Sequence, residues 1–250
     1  MLDQTQTQPG DAPSGPLGKS RVHFGLLSHS VAAFLIALLL LFVTAPFIQE
    51  LRSGRFIDGI LMTVVLLSAI LAVGGRHRSL AVGIVLGGPV LLARWIHHFE
   101  PGAGVDLFFV CSFLVFLAFV VGQFFSFILR SPRVNSEVIC AAMSVYLLLG
   151  LIWTSAYVLL ARMTAGAFSG LPAGSQPLHG FDALYFSFTT LTTVGYGDIL
   201  PATGPARMLA MLEAITGTMY VAVLVARLVS IYTSAGPPAG GEAASSSSRD

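Results

Sequence analysis

Six apolar runs of about membrane-spanning length divide the 250-residue chain: Leu26 to Ile48, Ile57 to Val73, Leu80 to Ile96, Val105 to Leu129, Val138 to Leu160 and Met208 to Tyr232. A helix needs roughly 20 apolar residues, with a range of about 17 to 25, to cross the hydrocarbon of a bilayer. Composition points the same way, since 55% of the residues are hydrophobic and only 10% charged, against about 25% charged in a soluble domain. With so little polar surface, the expected fold is an all-α membrane protein whose solvent is lipid. A formal net charge of +1 leaves no basic excess for phosphates, which excludes nucleic acid as a partner. Cys111 and Cys140 each lie in or at the edge of an apolar run. There a buried free thiol is expected, and neither a disulfide framework nor a metal site.

A seventh apolar segment, Phe181 to Val194, is too short to cross about 30 Å of hydrocarbon as a helix. It is expected to enter the membrane and return. Irregular backbone at membrane depth survives only where protein buries it or where it lines a watery cavity, because lipid cannot pair its amides and carbonyls. A re-entrant segment is thus a pore expectation in itself. The ends differ in character: residues 1–23 and 234–250 are polar and rich in Gly, Pro and Ser, and are expected to be disordered tails. Between them, residues 24–133 form a four-helix membrane unit and 134–233 a unit with two spans flanking the short segment.

Basic residues set the orientation. Lys19 and Arg21, then Arg76 and Arg78, then Arg130 and Arg133 fall in alternate connections. The opposite connections carry Arg52 and Arg55 beside Glu50 and Asp58, then Arg94 beside Glu100 and Asp106. Both termini are therefore expected to be cytoplasmic in a plasma-membrane protein, with the re-entrant segment entering from outside. Val31 to Ala45 could be read as the core of a cleaved signal peptide, but no strongly basic stretch closely precedes it, and a retained helix is expected.

The short segment leads into Thr192-Thr193-Val194-Gly195-Tyr196-Gly197-Asp198. An isolated Gly-Tyr-Gly would read as a tight turn with Gly at positive φ. Seven residues in this context, after a short membrane segment and before an apolar span, closely resemble the selectivity filter of tetrameric potassium channels. A dehydrated potassium ion needs replacement oxygens. The resemblance implies that the carbonyls of Thr193, Val194, Gly195 and Tyr196, with the Thr193 hydroxyl, form rings of such oxygens, and that Gly195 and Gly197 allow consecutive carbonyls to point one way. One chain has one such segment, so a closed homotetramer is implied. No cofactor is expected, with potassium as the permeant ion.

The same resemblance, specific between about Phe181 and Tyr232, implies supporting roles nearby. Tyr185 and Phe186 stand where such channels place paired aromatics around the filter. Tyr185 is expected to hydrogen-bond Asp198, although both aromatics could equally pack at the outer interface. Thr189, Thr190 and Thr192 fit a threonine-rich end of the pore helix, where hydroxyls bond carbonyls one turn earlier. Gly217 stands where similar channels carry a bending glycine, and also suits a close helix contact. Glu213, the one acid in the apolar part of its span, should avoid lipid. Either it faces the pore helix or a neighbouring subunit, protonated or bonded to hydroxyls such as Thr189 or Thr190, or it snorkels to water.

Other features bound what the chain does. The fourth span contains no Arg or Lys between Val105 and Leu129, whereas a voltage sensor needs several, each elementary charge gaining only about 2.3 kcal/mol per 100 mV. After Tyr232 too few residues follow for a ligand-binding domain, so regulation is expected through the membrane unit or a separate regulatory subunit. His97 and His98 suit a wet interface or a pH or metal sensor, and Gly87-Gly88-Pro89 suits a kink. No enzyme signature such as H-E-x-x-H or G-x-S-x-G occurs, and no second interrupted helix suggests an inverted-repeat transporter. The alternatives to a potassium-selective channel are a weakly selective cation pore, which Tyr196 argues against, and a transporter.

Overall fold

The computed structural model describes residues 20–50, 54–73, 77–99, 102–131, 135–171 and 177–234. Seven helices follow in order: α1 (Ser20–Glu50), α2 (Gly54–Val73), α3 (His77–Phe99), α4 (Ala103–Arg130), α5 (Ser136–Met163), α6 (Gly180–Leu191) and α7 (Gly204–Ser234). All but α6 are long and apolar enough to cross a membrane. The helix α1 begins at Ser20, so residues 20–23 are helical rather than tail. The rest of the two expected tails lies outside the described residues, apart from Ser234, which closes α7. The fold is not wholly helical, because two two-residue strands, β1 (Phe168–Ser169) and β2 (Leu200–Pro201), pair antiparallel. They tie the start of the connection after α5 to the stretch following the Gly-Tyr-Gly turn.

Local chemistry explains where the helices begin and end. Asn135 caps α5, its side-chain oxygen accepting the Val138 amide at 3.1 Å, which satisfies one of the donors that a helix N-terminus leaves open. The helix α4 carries Asp106 in its first turn and Arg130 in its last, the signs its dipole favours. In α3, Pro89 lies inside one continuous helix. The preceding Gly87 is a packing site, since a Cβ there would stand 2.9 Å from Ile70 Cδ1 and 3.2 Å from Phe116 Cε2. His97 and His98 fall in α3, but their side chains lie outside the described residues.

One core runs from the four-helix unit into the second unit. Phe34 and Leu38 of α1, Leu66 of α2, Phe116 and Val120 of α4, and Val138 and Leu148 of α5 are all buried in it. Both α1 and α4 pack on α5, so α5 is the wall between the units. Arg94 pairs with Asp58, and Arg162 with Asp106 at 2.8 Å. Two of the arginines on the side opposite the basic connections are thereby neutralised within the chain, Arg94 by Asp58 rather than by Asp106. Cys140 is half-buried, but Cys111 is exposed rather than buried; both thiols are free.

Gly87→Leu should destabilise the protein by about 1–3 kcal/mol through overpacking. Gly88→Leu, where a Cβ meets nothing within 4 Å, should not destabilise it and should gain up to about 1 kcal/mol of helix propensity. Thermal unfolding of the two variants in detergent checks this.

Candidate functional site

The helix α6 has 12 residues, about 18 Å at 1.5 Å per residue, and its last carbonyls have no partners within the helix. The chain that follows supplies them. The Thr192 amide donates to Phe188 O at 3.0 Å, the Thr193 amide to Thr190 O at 2.9 Å, and the Gly195 amide to Thr189 O at 3.0 Å. The hydroxyls of Thr189 and Thr192 bond back to Phe186 O (3.1 Å) and Phe188 O (2.6 Å). The amides of Thr192, Thr193 and Gly195 therefore face α6.

Backbone handedness alternates along the same segment. Thr193 has φ 59°, Gly195 54° and Gly197 80°, while Val194 and Tyr196 between them are not at positive φ. Alternation of this kind turns successive peptide planes the same way, with N–H groups on one side and carbonyls on the other. Glycine adopts such angles freely. For Thr193, a β-branched residue, the angle is an outlier costing of order 1–3 kcal/mol, and sequence reasoning did not foresee it. The opposite side of the segment is open, with Tyr196 73% and Val194 53% exposed.

Tyr185 stands behind this turn. Its hydroxyl donates to Asp198 Oδ2 at 2.8 Å, and its ring stacks on that of Tyr196, with centroids 6.2 Å apart and planes 2° from parallel. Asp198 Oδ1 also accepts the Ile199 amide at 3.0 Å. The Tyr185 hydroxyl holds the Asp198 carboxyl below the usual carboxylate range. Phe186 does not share this position. It is buried on the other face of α6, edge-on to Tyr157 (centroids 4.9 Å) and to Phe168 (5.3 Å). Only one of the two expected aromatics reaches the turn, because neighbouring residues on a helix point about 100° apart.

Three contacts seat α6 between α5 and α7. Gly150 of α5 makes room for Phe188, whose ring would lie 2.3 Å from a Cβ there. Gly217 of α7 is buried against the end of α6, where a Cβ would stand 2.2 Å from Leu191 O. Between them Glu213 is fully buried. It does not meet Thr189 or Thr190. Its partners are the Tyr157 hydroxyl from α5, on Oε2, and Ser187 Oγ from α6, 2.6 Å from Oε1. Ser187 Oγ is also 2.8 Å from Gly150 O. A hydroxyl has one proton, so if Ser187 serves Gly150, the hydrogen between Ser187 and Glu213 comes from the carboxyl. The sequence carried no signal for Tyr157, Ser187 or Gly150, which are ordinary residues until the fold brings them to Glu213 and Phe188.

A long apolar helix, a short helix ending in a backbone turn of alternating hand, and a second long apolar helix follow one another along the second unit. Residues 145–234 match the family described as "Ion channel". The chain is 34% identical to Two-pore potassium channel 4 of Arabidopsis thaliana over 84 residues, which cover 34% of this chain and 30% of that protein. It is 38% identical to Two pore potassium channel c of Oryza sativa over 79 residues, 29% of this chain and 17% of that protein. It is also 48% identical to Protein LctB of Bacillus caldotenax over 48 residues, 19% of this chain and 35% of that one. The chain thus spans about a third or less of the length of these curated relatives. No solved structure matches. Over residues 145–234 the chain is thus similar to an ion-channel family and, within that stretch, to potassium channels.

Two predictions follow from this geometry. Ala is the better helix former by about 1 kcal/mol, so at a freely bending position Gly217→Ala would stabilise α7. Against a fixed carbonyl it should instead cost about 1–3 kcal/mol, read as a lowered melting temperature in detergent. For Asp198, the folded carboxyl titrates below the unfolded value of about 3.9. The stability it contributes is therefore fully present above that pH and is lost as pH falls through the lowered folded value. The melting-temperature difference between the native chain and Asp198→Asn should stay constant from neutral pH down to the ordinary aspartate range and shrink only below it.

Proposed function

We propose that four copies of the chain surround a central axis and conduct potassium ions passively and selectively across the plasma membrane. The observation that carries this reading is the alternating backbone of Thr193 to Gly197, with the Thr193 and Gly195 amides tied to α6. With the Thr193 and Gly195 N–H groups turned to α6, the carbonyls of Thr193, Val194, Gly195 and Tyr196 and the Thr193 hydroxyl are free to replace the water around a cation. Four chains complete each ring. In this reading α6 re-enters from the outer side, and its C-terminal end, the negative end of its dipole, faces the cavity from which ions enter.

The exposed face of α7 supports the assembly. Half of the α5 span is buried within the chain, but only 11% of the α7 span. Met208, Met211, Ile215, Val225 and Val229 are exposed on the side opposite Glu213 and Gly217, as expected of a helix that lines a pore and meets its copies. The pore is not steeply voltage-gated, because α4 carries no basic residue before Arg130. Both termini lie in the cytoplasm, set by Lys19, Arg21, Arg76, Arg78, Arg130 and Arg133.

Purified protein in potassium-loaded vesicles should take up rubidium, be blocked by barium and exclude sodium. Gly195→Ala, which puts a Cβ where φ is +54°, should lose the uptake while the oligomer persists on native gels. In planar bilayers, open probability should not change steeply with voltage. Equal sodium and rubidium entry, or a monomer in every detergent, overturns the reading.

A further inference from the structure

Glu213 of α7 lies where three helices meet, and the hydrogens there can be counted. Its Oε2 faces the Tyr157 hydroxyl of α5, its Oε1 lies 2.6 Å from Ser187 Oγ of α6, and Ser187 Oγ lies 2.8 Å from Gly150 O of α5. Oxygens this close need a hydrogen between them. Three contacts take three hydrogens, of which Tyr157 and Ser187 supply one each and the Gly150 carbonyl none. The third belongs to the carboxyl. Glu213 is then a neutral acid that donates to Ser187, which in turn donates to Gly150 O.

No cation draws that proton off, since the salt bridges among the described residues join Arg94 to Asp58 and Arg162 to Asp106. From α5, Tyr157 faces the carboxyl directly and Tyr146 lies within electrostatic reach, its hydroxyl on Leu191 O at 3.5 Å. From α6 comes the Ser187 hydroxyl, with Asp182 back in the first turn. On α7 itself, Arg207 bonds Pro201 O. What the proton decides is where Ser187 points. An ionised carboxyl has no hydrogen to give and accepts bonds roughly twice as strong as neutral ones, so Ser187 turns its hydrogen from Gly150 O to Oε1. Gly150 O still holds the Thr154 hydroxyl at 2.7 Å. The loss falls on α6, which gives up its Ser187 bond to α5 beside the notch that seats Phe188. The same helix holds the Thr193 and Gly195 amides through its Thr190 and Thr189 carbonyls.

We propose that Glu213 is a proton switch acting on the turn after α6. While the carboxyl keeps its proton, Ser187 ties α6 to α5 and the turn holds its conducting arrangement. At alkaline pH the proton passes to hydroxide in the bulk water, Ser187 releases Gly150 O, and conduction falls. Glu213 is thus a positioning residue, reaching the turn through Ser187 and α6. The switch deepens the channel reading above and rests on it.

Infrared spectroscopy of the purified oligomer reads the proton without ion flow. Glu213 is the one buried acid among the described residues. At neutral pH the native chain should show the C=O stretch of a protonated carboxyl, absent from Glu213→Gln and lost on going to alkaline pH. In Tyr157→Phe, where Oε2 loses its donor, the same stretch should move to higher frequency, which keeps the assignment open if Glu213→Gln does not fold. Over the same pH range rubidium uptake into vesicles by the native chain should fall reversibly by about tenfold or more, the weight of one buried bond given up. Glu213→Gln, neutral at every pH with one donor and one acceptor at its end, should keep its uptake where the native chain loses it. No carboxyl stretch at neutral pH, uptake by the native chain that survives alkaline pH, or equal loss in the native chain and Glu213→Gln overturns the proposal. An oligomer whose carboxyl stretch titrates but which passes no rubidium at any pH fails the channel reading itself, and the switch with it.

Discussion

A peptide group inside a membrane must find its partner within the protein, and the whole second unit is organised around that constraint. The helix α6 satisfies its own interior but leaves carbonyls open at its end. The amides of Thr192, Thr193 and Gly195 close them. That closure decides which way the following peptide planes face, and so which atoms remain for anything approaching from the open side. The alternating hand at Thr193, Gly195 and Gly197 expresses the same requirement. Amides turned toward a helix end leave carbonyls turned away from it.

The strain at Thr193 shows that this arrangement is imposed from outside the turn. Tyr185 holds Asp198 and stacks on Tyr196, while β2 fastens the chain just beyond to β1. The helix behind is itself seated by contacts with almost no slack: Phe188 in the notch at Gly150, and Leu191 O against Gly217. Glu213 adds a polar pin, joined to α6 through Ser187 and to α5 through Tyr157. A buried polar cluster of this kind holds one arrangement in preference to its neighbours only while every member has a partner.

The long helices were legible because their apolar runs are sharply bounded, and each of the six long helices contains the run that announces it. The turn was legible through Gly195 and Gly197, whose missing Cβ atoms mark positive φ. Thr193 was not, since nothing in a threonine announces the same angle; it follows from the bonds its neighbours make. Glu213 declared itself as a charge where lipid forbids one, but of the directions this left open (α6, a neighbouring subunit or water) only the fold picks α6. Its partners were not legible, because which hydroxyl of α6 faces it depends on the turn of that helix: Ser187 points to Glu213, while Thr189 spends its hydroxyl on Phe186 O. Phe186 shows the limit of reading by resemblance, since adjacency to Tyr185 along the chain places it on a different face of the helix.

The notch at Gly217 has a mechanical consequence. The inner helix cannot rotate about that point as a free joint, because the carbonyl of Leu191 sits where a side chain would be, and the next residues along are the carbonyl-bearing turn itself. Any swing of α7 must either carry the end of α6 with it or open a void beside the Leu191 carbonyl, which the Tyr146 hydroxyl also meets at 3.5 Å. The packing of α7 and the position of the turn after α6 are held by one contact.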